Sequence, residues 1–270
     1  MIPPTSIDGT DITGATIDGT DVQEITVDGD VVFSAGPQIN NFPVAYSNLI
    51  AWYPFDSATY TGSNADDVTA ILGGSGDGTA YDGSVSGASY QSSGGVTDID
   101  AGANSGAFDY SGSERITANG SGLKLTTQTA MAWIRQDSPT GAVPFSHADA
   151  GGVQDGWSID LREEIFEVEF TLKIGNAAED IIAGSYQIGD WFHVALTTTG
   201  VNGTFSAFLN GSFGGSANYI NYVVTPDPLT MGRALDTFFD PFDGRVDDVR
   251  IYNTVLSQSQ IDQIYQNTKP

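Results

Sequence analysis

The chain has 270 residues, 34 acidic side chains against nine basic ones, a formal net charge of −25 and no cysteine. That balance excludes a nucleic-acid partner, because no cationic stripe exists to neutralise phosphates, and it disfavours an anionic membrane surface. Without cysteine there is neither a disulfide framework nor a thiolate metal site. The 33 glycines and many short stretches of Val, Ile, Thr, Phe and Tyr fit an all-β architecture with many turns and little helix.

The first residues, MIPPTSIDGT, lack a basic segment followed by an apolar one, so no standard secretory signal is expected. No apolar run approaches membrane-spanning length, so no membrane insertion is expected. A ten-residue period then shows in Ile7-Asp8-Gly9, Ile17-Asp18-Gly19 and Val27-Asp28-Gly29. Asp-Gly favours tight turns and the flanking β-branched residues favour short strands, which predicts a small β-meander of three turns. Units this short bury little surface alone. Residues 1–36 are therefore expected to be an anchoring or oligomerisation arm, with strands packed on the main domain as the alternative. Pro37 and Pro43 mark residues 37–43 as a linker, and residues 44–270 as the main domain.

Within the main domain, strands are predicted at 49–53, 107–110, 115–117, 129–134, 156–161, 166–174, 192–198, 204–209, 229–231 and 245–251. The Gly, Ser and Asp-rich stretch from Ser57 to Ser105 is not expected to be regular throughout. One helix is signed near the end. Ser257 with Gln260 forms a capping box, Leu256 with Ile261 a hydrophobic staple, and Ile261, Ile264 and Tyr265 an apolar face.

Several segments, read in order, resemble the concanavalin A-like superfamily, in particular its laminin-G-like, pentraxin-related jelly rolls. They are Leu49-Ile50-Ala51-Trp52-Tyr53-Pro54-Phe55-Asp56, Gly106-Ala107-Phe108-Asp109-Tyr110, Met131-Ala132-Trp133-Ile134, Asp190-Trp191-Phe192-His193-Val194-Ala195, Ala207-Phe208-Leu209-Asn210-Gly211 and Phe242-Asp243-Gly244-Arg245-Val246-Asp247-Asp248-Val249-Arg250-Ile251-Tyr252. The resemblance implies an antiparallel two-sheet jelly-roll sandwich, preceded by the repeat arm and closed by the short helix. Trp52, Trp133 and Trp191 are expected in its core. It also implies a structural calcium joining the loop after the first strand to the closing strand, through Asp56, Asp247 and Asp248; beside the resemblance, Asp66 and Asp67 are further possible ligands. Calcium takes six to eight hard oxygen ligands, and aspartates with carbonyls supply them. The alternative is that these are solvated turn and edge carboxylates.

Relatives in that superfamily include laminarinases, whose retaining chemistry uses Glu-x-Asp-x-(x)-Glu on one strand. The acidic strand here, Glu163-Glu164-Ile165-Phe166-Glu167-Val168-Glu169, places Phe166 or Ile165 where the middle acid belongs. No enzymatic activity is therefore expected. Glu167 and Glu169 read as a solvated face, with Phe166, Val168 and Phe170 turned inward. For ligand binding, His147, Asp149, Asp155, Trp157, Arg233 and Asp236, with the Tyr219–Tyr222 segment, are the loop candidates.

The aspartate excess and the three lysines resemble proteins of extreme halophiles, in which salt screens self-repulsion. An acidic extracellular protein that binds calcium is the alternative. The run from Ile17 to Phe33 resembles the start of structural proteins in tailed viruses of halophilic archaea. Together these imply a virion surface protein, a tail fibre or capsid projection, that recognises a host glycan or glycoprotein. It would form a homo-oligomer, trimer or pentamer, bound through the arm to other virion proteins. A cellular carbohydrate-binding or adhesion protein is the rival reading, and a glycoside hydrolase the weaker one.

Overall fold

The computed structural model describes residues 6–7, 10–11, 16–17, 20–21, 24–27, 30–34, 45–55, 63–67, 81–96, 106–119, 122–148, 155–163, 165–175, 177–224, 227–235 and 242–270. The chain divides into two units, Met1–Asn41 with Ile99–Gly102, and Phe42–Asp98 with Ala103–Pro270.

In the first unit, the ten-residue period becomes three antiparallel hairpins. β1 (Ser6–Ile7) pairs with β2 (Thr10–Asp11), β3 (Thr16–Ile17) with β4 (Thr20–Asp21), and β5 (Glu24–Val27) with β6 (Asp30–Ser34). Among the described residues each hairpin is its own two-stranded sheet, where a continuous meander was expected.

The second unit is a sandwich of two eight-stranded antiparallel sheets. Its strands are β7 (Leu49–Tyr53), β8 (Asn64–Ala65), β9 (Gly83–Ser86), β10 (Ser89–Gln91), β11 (Ala107–Gly112), β12 (Arg115–Ala118), β13 (Thr127–Gln136) and β14 (Ala142–Ala148). They continue as β15 (Gly156–Arg162), β16 (Glu167–Ile174), β17 (Ala177–Ser185), β18 (Trp191–Thr199), β19 (Gly203–Leu209), β20 (Ser212–Tyr219), β21 (Leu229–Met231) and β22 (Phe242–Tyr252). The first sheet runs β10-β11-β22-β13-β18-β19-β20, with β7 also on β22; the second runs β17-β16-β15-β14-β21-β12-β9-β8.

The period of two is plain across the second sheet. One register row reads Val85, Ile116, Met231, Phe145, Ile159, Phe170, Ile181, and every member belongs to the core or packs on it. The adjacent row reads Ser84, Thr117, Thr230, Ser146, Ser158, Thr171, Asp180. Successive side chains of a strand point to opposite faces, so the apolar row faces the other sheet and the hydroxyl row faces away.

All ten strands expected in the main domain form, some a residue or more longer. Among the described residues, six strands were not anticipated: β8, β9 and β10 lie in the Ser57 to Ser105 stretch, Pro144 interrupts β14, charged and small residues dilute β17, and Gly214-Gly215 lies within β20. Phe166, expected inward, lies in a turn at positive φ (49°) and is 38% exposed. Val168 and Phe170 are buried as expected.

The helix α1 (Gln258–Thr268) has both halves of the capping box in place. Leu256, Ile261 and Ile264 are buried. Tyr265 stacks on Trp133 at 5.5 Å, and the Trp133 indole donates to Thr268 Oγ1 (2.9 Å). Trp52 and Trp133 are fully buried, whereas Trp191 is half-buried beneath the Arg135 guanidinium.

Candidate functional site

Two corners of the sandwich gather polar chemistry. The first is made by β22, whose opening half pairs with β11 and whose closing half pairs with β7. Between the halves the register against β13 shifts, and Asp248 adopts a positive φ of 46°. Such a bulge puts an extra residue into the strand and re-aims its side chains, here two consecutive aspartates.

Asp248 Oδ1 accepts from Trp52 Nε1 (2.7 Å) and from Arg250 Nε (2.8 Å), and the Arg250 guanidinium lies 4.6 Å from the Trp52 ring centre. Asp247 Oδ1 accepts from the Asp248 amide and Oδ2 from the Val96 amide, both at 2.7 Å. Asp67, fully buried, accepts from the Trp52 amide (2.9 Å) and thereby holds β7. Gly95 and Gly106 permit this closeness. A Cβ on Gly95 would stand 1.9 Å from Gly106 O and 2.5 Å from Asp247 Oδ2, and one on Gly106 would stand 2.4 Å from Phe55 O.

The oxygens near this corner that could serve a hard cation are those of Asp247, each of which already accepts a main-chain amide, and the main-chain oxygens of Phe55 and Gly106. Asp248 is committed likewise, its Oδ1 to a buried cation and an indole. Asp56 lies outside the described residues. Among those that are described, no three His, Asp or Glu side chains gather as a metal cluster.

The second corner lies where the edge strands β17 and β20 meet. Their approach depends on missing side chains: a Cβ on Gly214 would stand 2.5 Å from that of Ala183, and one on Gly215 would stand 2.8 Å from Ile181. Further along, a groove of about 360 Å³ opens, lined by Ile174, Ala177, Glu179, Asn218, Tyr219, Ile220 and Asn221. The turn from β16 to β17 passes through Gly175 at φ 57°, whose amide donates to Asp155 Oδ1 (2.9 Å).

The opposite wall is clamped. Tyr219 donates its hydroxyl hydrogen to Gly200 O (2.7 Å) and accepts from the Thr199 amide (3.0 Å). The Asn221 amide donates to Asn202 Oδ1 (2.8 Å) and the Tyr222 amide to Val201 O (2.9 Å). Ile220, held between these anchors, is 69% exposed.

The predicted ligand residues fall in different places. Trp157 is fully buried, edge-on to Phe145 at 4.9 Å, and offers no ring face at the surface. His147 pairs with it across the strands; burial holds its pKa down to about 4, and Nε2 lies 2.9 Å from Asp227 O. Asp155 supports the groove through Gly175, and Tyr219 and Asn221 line it. Arg233 follows β21 at the other end of β14, where the Gly232 amide donates to Pro144 O. Asp149 and Asp236 lie outside the described residues.

Ile174, Ala177, Glu179 and Asn218 escaped sequence reasoning, since none carries a motif. The only usable signal was Gly214-Gly215 in a strand, which marks close backbone approach. On the acidic strand, Glu169 pairs with Arg162 (3.2 Å), and its neighbour Asp160 is raised to about pKa 6 by burial despite hydrogen bonds from Ser158 and Thr171.

Comparison with known proteins agrees with this architecture. No curated protein matches the chain in sequence. Among solved structures, domain 4 of AbnA, a GH43 extracellular arabinanase from Geobacillus stearothermophilus in complex with arabinotriose, is similar at 17% identity and a TM-score of 0.59. That likeness covers 81% of this chain and 98% of the domain. The binding domain of botulinum neurotoxin DC in complex with SialylT is similar at 18% identity and a TM-score of 0.53, over 82% of this chain and 51% of the other. The botulinum neurotoxin type G receptor binding domain follows at 16% and 0.54, over 82% and 51%. The chain thus spans about half the length of the toxin chains, and at these identities the likeness is one of fold. Residues 109–262 match the family described as the Concanavalin A-like lectin/glucanases superfamily. With its jelly-roll sheets, its docked helix and more than half its length matched, the chain belongs to the concanavalin A-like lectin/glucanase superfamily.

Proposed function

We propose that this protein is a virion surface component of a virus of halophilic archaea, a tail fibre or capsid projection, whose sandwich recognises a glycan or glycoprotein on the host. The observation that carries the binding part is the groove between Glu179 and the Tyr219–Asn221 wall. It joins an apolar surface with a few convergent polar groups on a pre-organised scaffold, the usual make-up of a small-ligand site. Two fold neighbours are described in complex with sugars, arabinotriose for one and SialylT for the other.

The virion part draws on the net charge of −25 and the three Asp-Gly repeats. In this reading residues 1–36 anchor the protein and drive its trimeric or pentameric assembly, residues 37–43 link, and residues 44–270 bind. A calcium ion would be held by Asp247 with the carbonyls of Phe55 and Gly106, and by Asp56, tying the first strand to the last.

The test is binding of the purified chain to intact haloarchaeal cells in molar KCl, before and after periodate oxidation of surface glycans. Loss of binding on oxidation is expected, and binding that survives it would sink the glycan reading. Mass spectrometry of purified particles tests the virion assignment, which fails if the chain stays in the cell fraction.

A further inference from the structure

We infer that the groove takes an uncharged sugar unit and rejects acidic sugars, a specificity that rests on the glycan-binding function proposed above. Among the described residues seven line it: Ile174, Ala177 and Ile220, with the largely buried Tyr219, form the apolar part, and Glu179, Asn218 and Asn221 are polar. The apolar part suits the C–H face of a sugar ring. The two amides both donate and accept, so they suit hydroxyls, while the Glu179 carboxylate accepts from hydroxyls only.

No lysine or arginine is among the lining residues. Lys173 precedes Ile174 but belongs to the opposite face of β16, where its charge acts on Asp160. Asp155, at the base of the β16–β17 turn, adds a second negative charge. A uronate or sialate carboxylate would therefore meet Glu179 with nothing to neutralise it, in a chain already at −25. Recognition of a carboxylate elsewhere commonly relies on arginine, whose guanidinium matches it in geometry and charge. The volume, about 360 Å³, is at the low end for small-molecule sites and fits the end of a glycan better than a long stretch of it.

The test uses the full chain and matched probes that differ only at C6: methyl galactoside against methyl galacturonate, and methyl glucoside against methyl glucuronate, with arabinotriose as a further neutral probe. Ligand-observed NMR is run at the lowest KCl concentration that keeps the chain folded and again in molar KCl. At least one neutral probe is expected to bind, with its acidic counterpart about tenfold weaker or more at the lower salt, a gap that narrows in molar KCl and in Glu179→Gln. Ile220→Asp, at an exposed position, is expected to abolish neutral binding at an unchanged melting temperature. Acidic sugars that bind as tightly as neutral ones, a gap untouched by Glu179→Gln, or binding that persists in Ile220→Asp would each overturn the inference while leaving glycan recognition standing. If no probe binds and oxidised cells still capture the chain, the glycan-binding function itself falls.

Discussion

At the closing-strand corner, Asp247 and Asp248 are 2% and 5% exposed, and donors from β7, from residue 96 and from Arg250 occupy their oxygens. In the groove between β17 and β20 a carboxylate again lies near an aromatic ring, but here Glu179 is partly exposed, Asn218 and Asn221 are exposed, and the backbone beneath them is pinned. The first corner spends its polar groups on holding the chain ends together. The second keeps the scaffold rigid and leaves polar groups for something else. What separates a structural carboxylate from a ligand-facing one is therefore burial and prior commitment, not residue type.

The largest expected effect lies in the sealed interior. Burial lowers the pKa of His147 to about 4 and of His193 to about 3, the latter also beside Arg250. Both are neutral in the fold but protonate below about pH 6.5 in the unfolded chain. The unfolded state then binds more protons, so stability falls as pH drops below 6.5, by about 1.4 kcal/mol per histidine per pH unit down to the folded values. Asp160 opposes this, because its folded pKa of about 6 lies above the unfolded one and its protonation between pH 6 and 4 favours the fold. Chemical denaturation from pH 7 to 4 should show a net loss, steeper in Asp160→Asn. A flat profile would mean that the histidines are not sealed.

Next, Asp248→Ala leaves Arg250 buried without its partner and is expected to cost about 3–5 kcal/mol. Urea unfolding reads this directly, and a loss below 1 kcal/mol would contradict a committed ion pair. A chelator is expected to lower the melting temperature of the native chain, an effect of about 3 kcal/mol where the cation stands at a hundredfold its dissociation constant. An unchanged melting temperature would leave hydrogen bonds alone at that corner. Gly95→Ala forces a methyl against Gly106 O and is expected to destabilise by about 1–3 kcal/mol and to blunt the chelator response. The smallest effect belongs to the open corner: Ile220→Asp should move stability by no more than about 0.5 kcal/mol. A larger change there would make the groove wall part of the core, and the contrast between the corners would fail.

Much of the sandwich was legible because apolar alternation in a chain without cysteine leaves few ways to bury it. Val168 and Phe170, alternating with Glu167 and Glu169, reveal a buried face without help from the rest of the molecule. The closing helix was equally plain, since a capping box is a local contract between Ser257 and Gln260. The site was less legible. His147 and Trp157 carry chemistry by type, yet the fold buries both, and a half-buried edge supplies Glu179 and Asn218 instead.

The sequence by itself determined the all-β class, the helix and its caps, the acidic charge, and the hairpin period at the start, because each rests on neighbours within a few residues or on composition. Tertiary structure alone decided that Asp247 and Asp248 turn at a bulge toward different partners. It alone brought β17 and β20, separated by two intervening strands in the chain, close enough through their glycines to open a groove. Those outcomes depend on pairings between distant segments, and no local pattern of residues records which edges will meet.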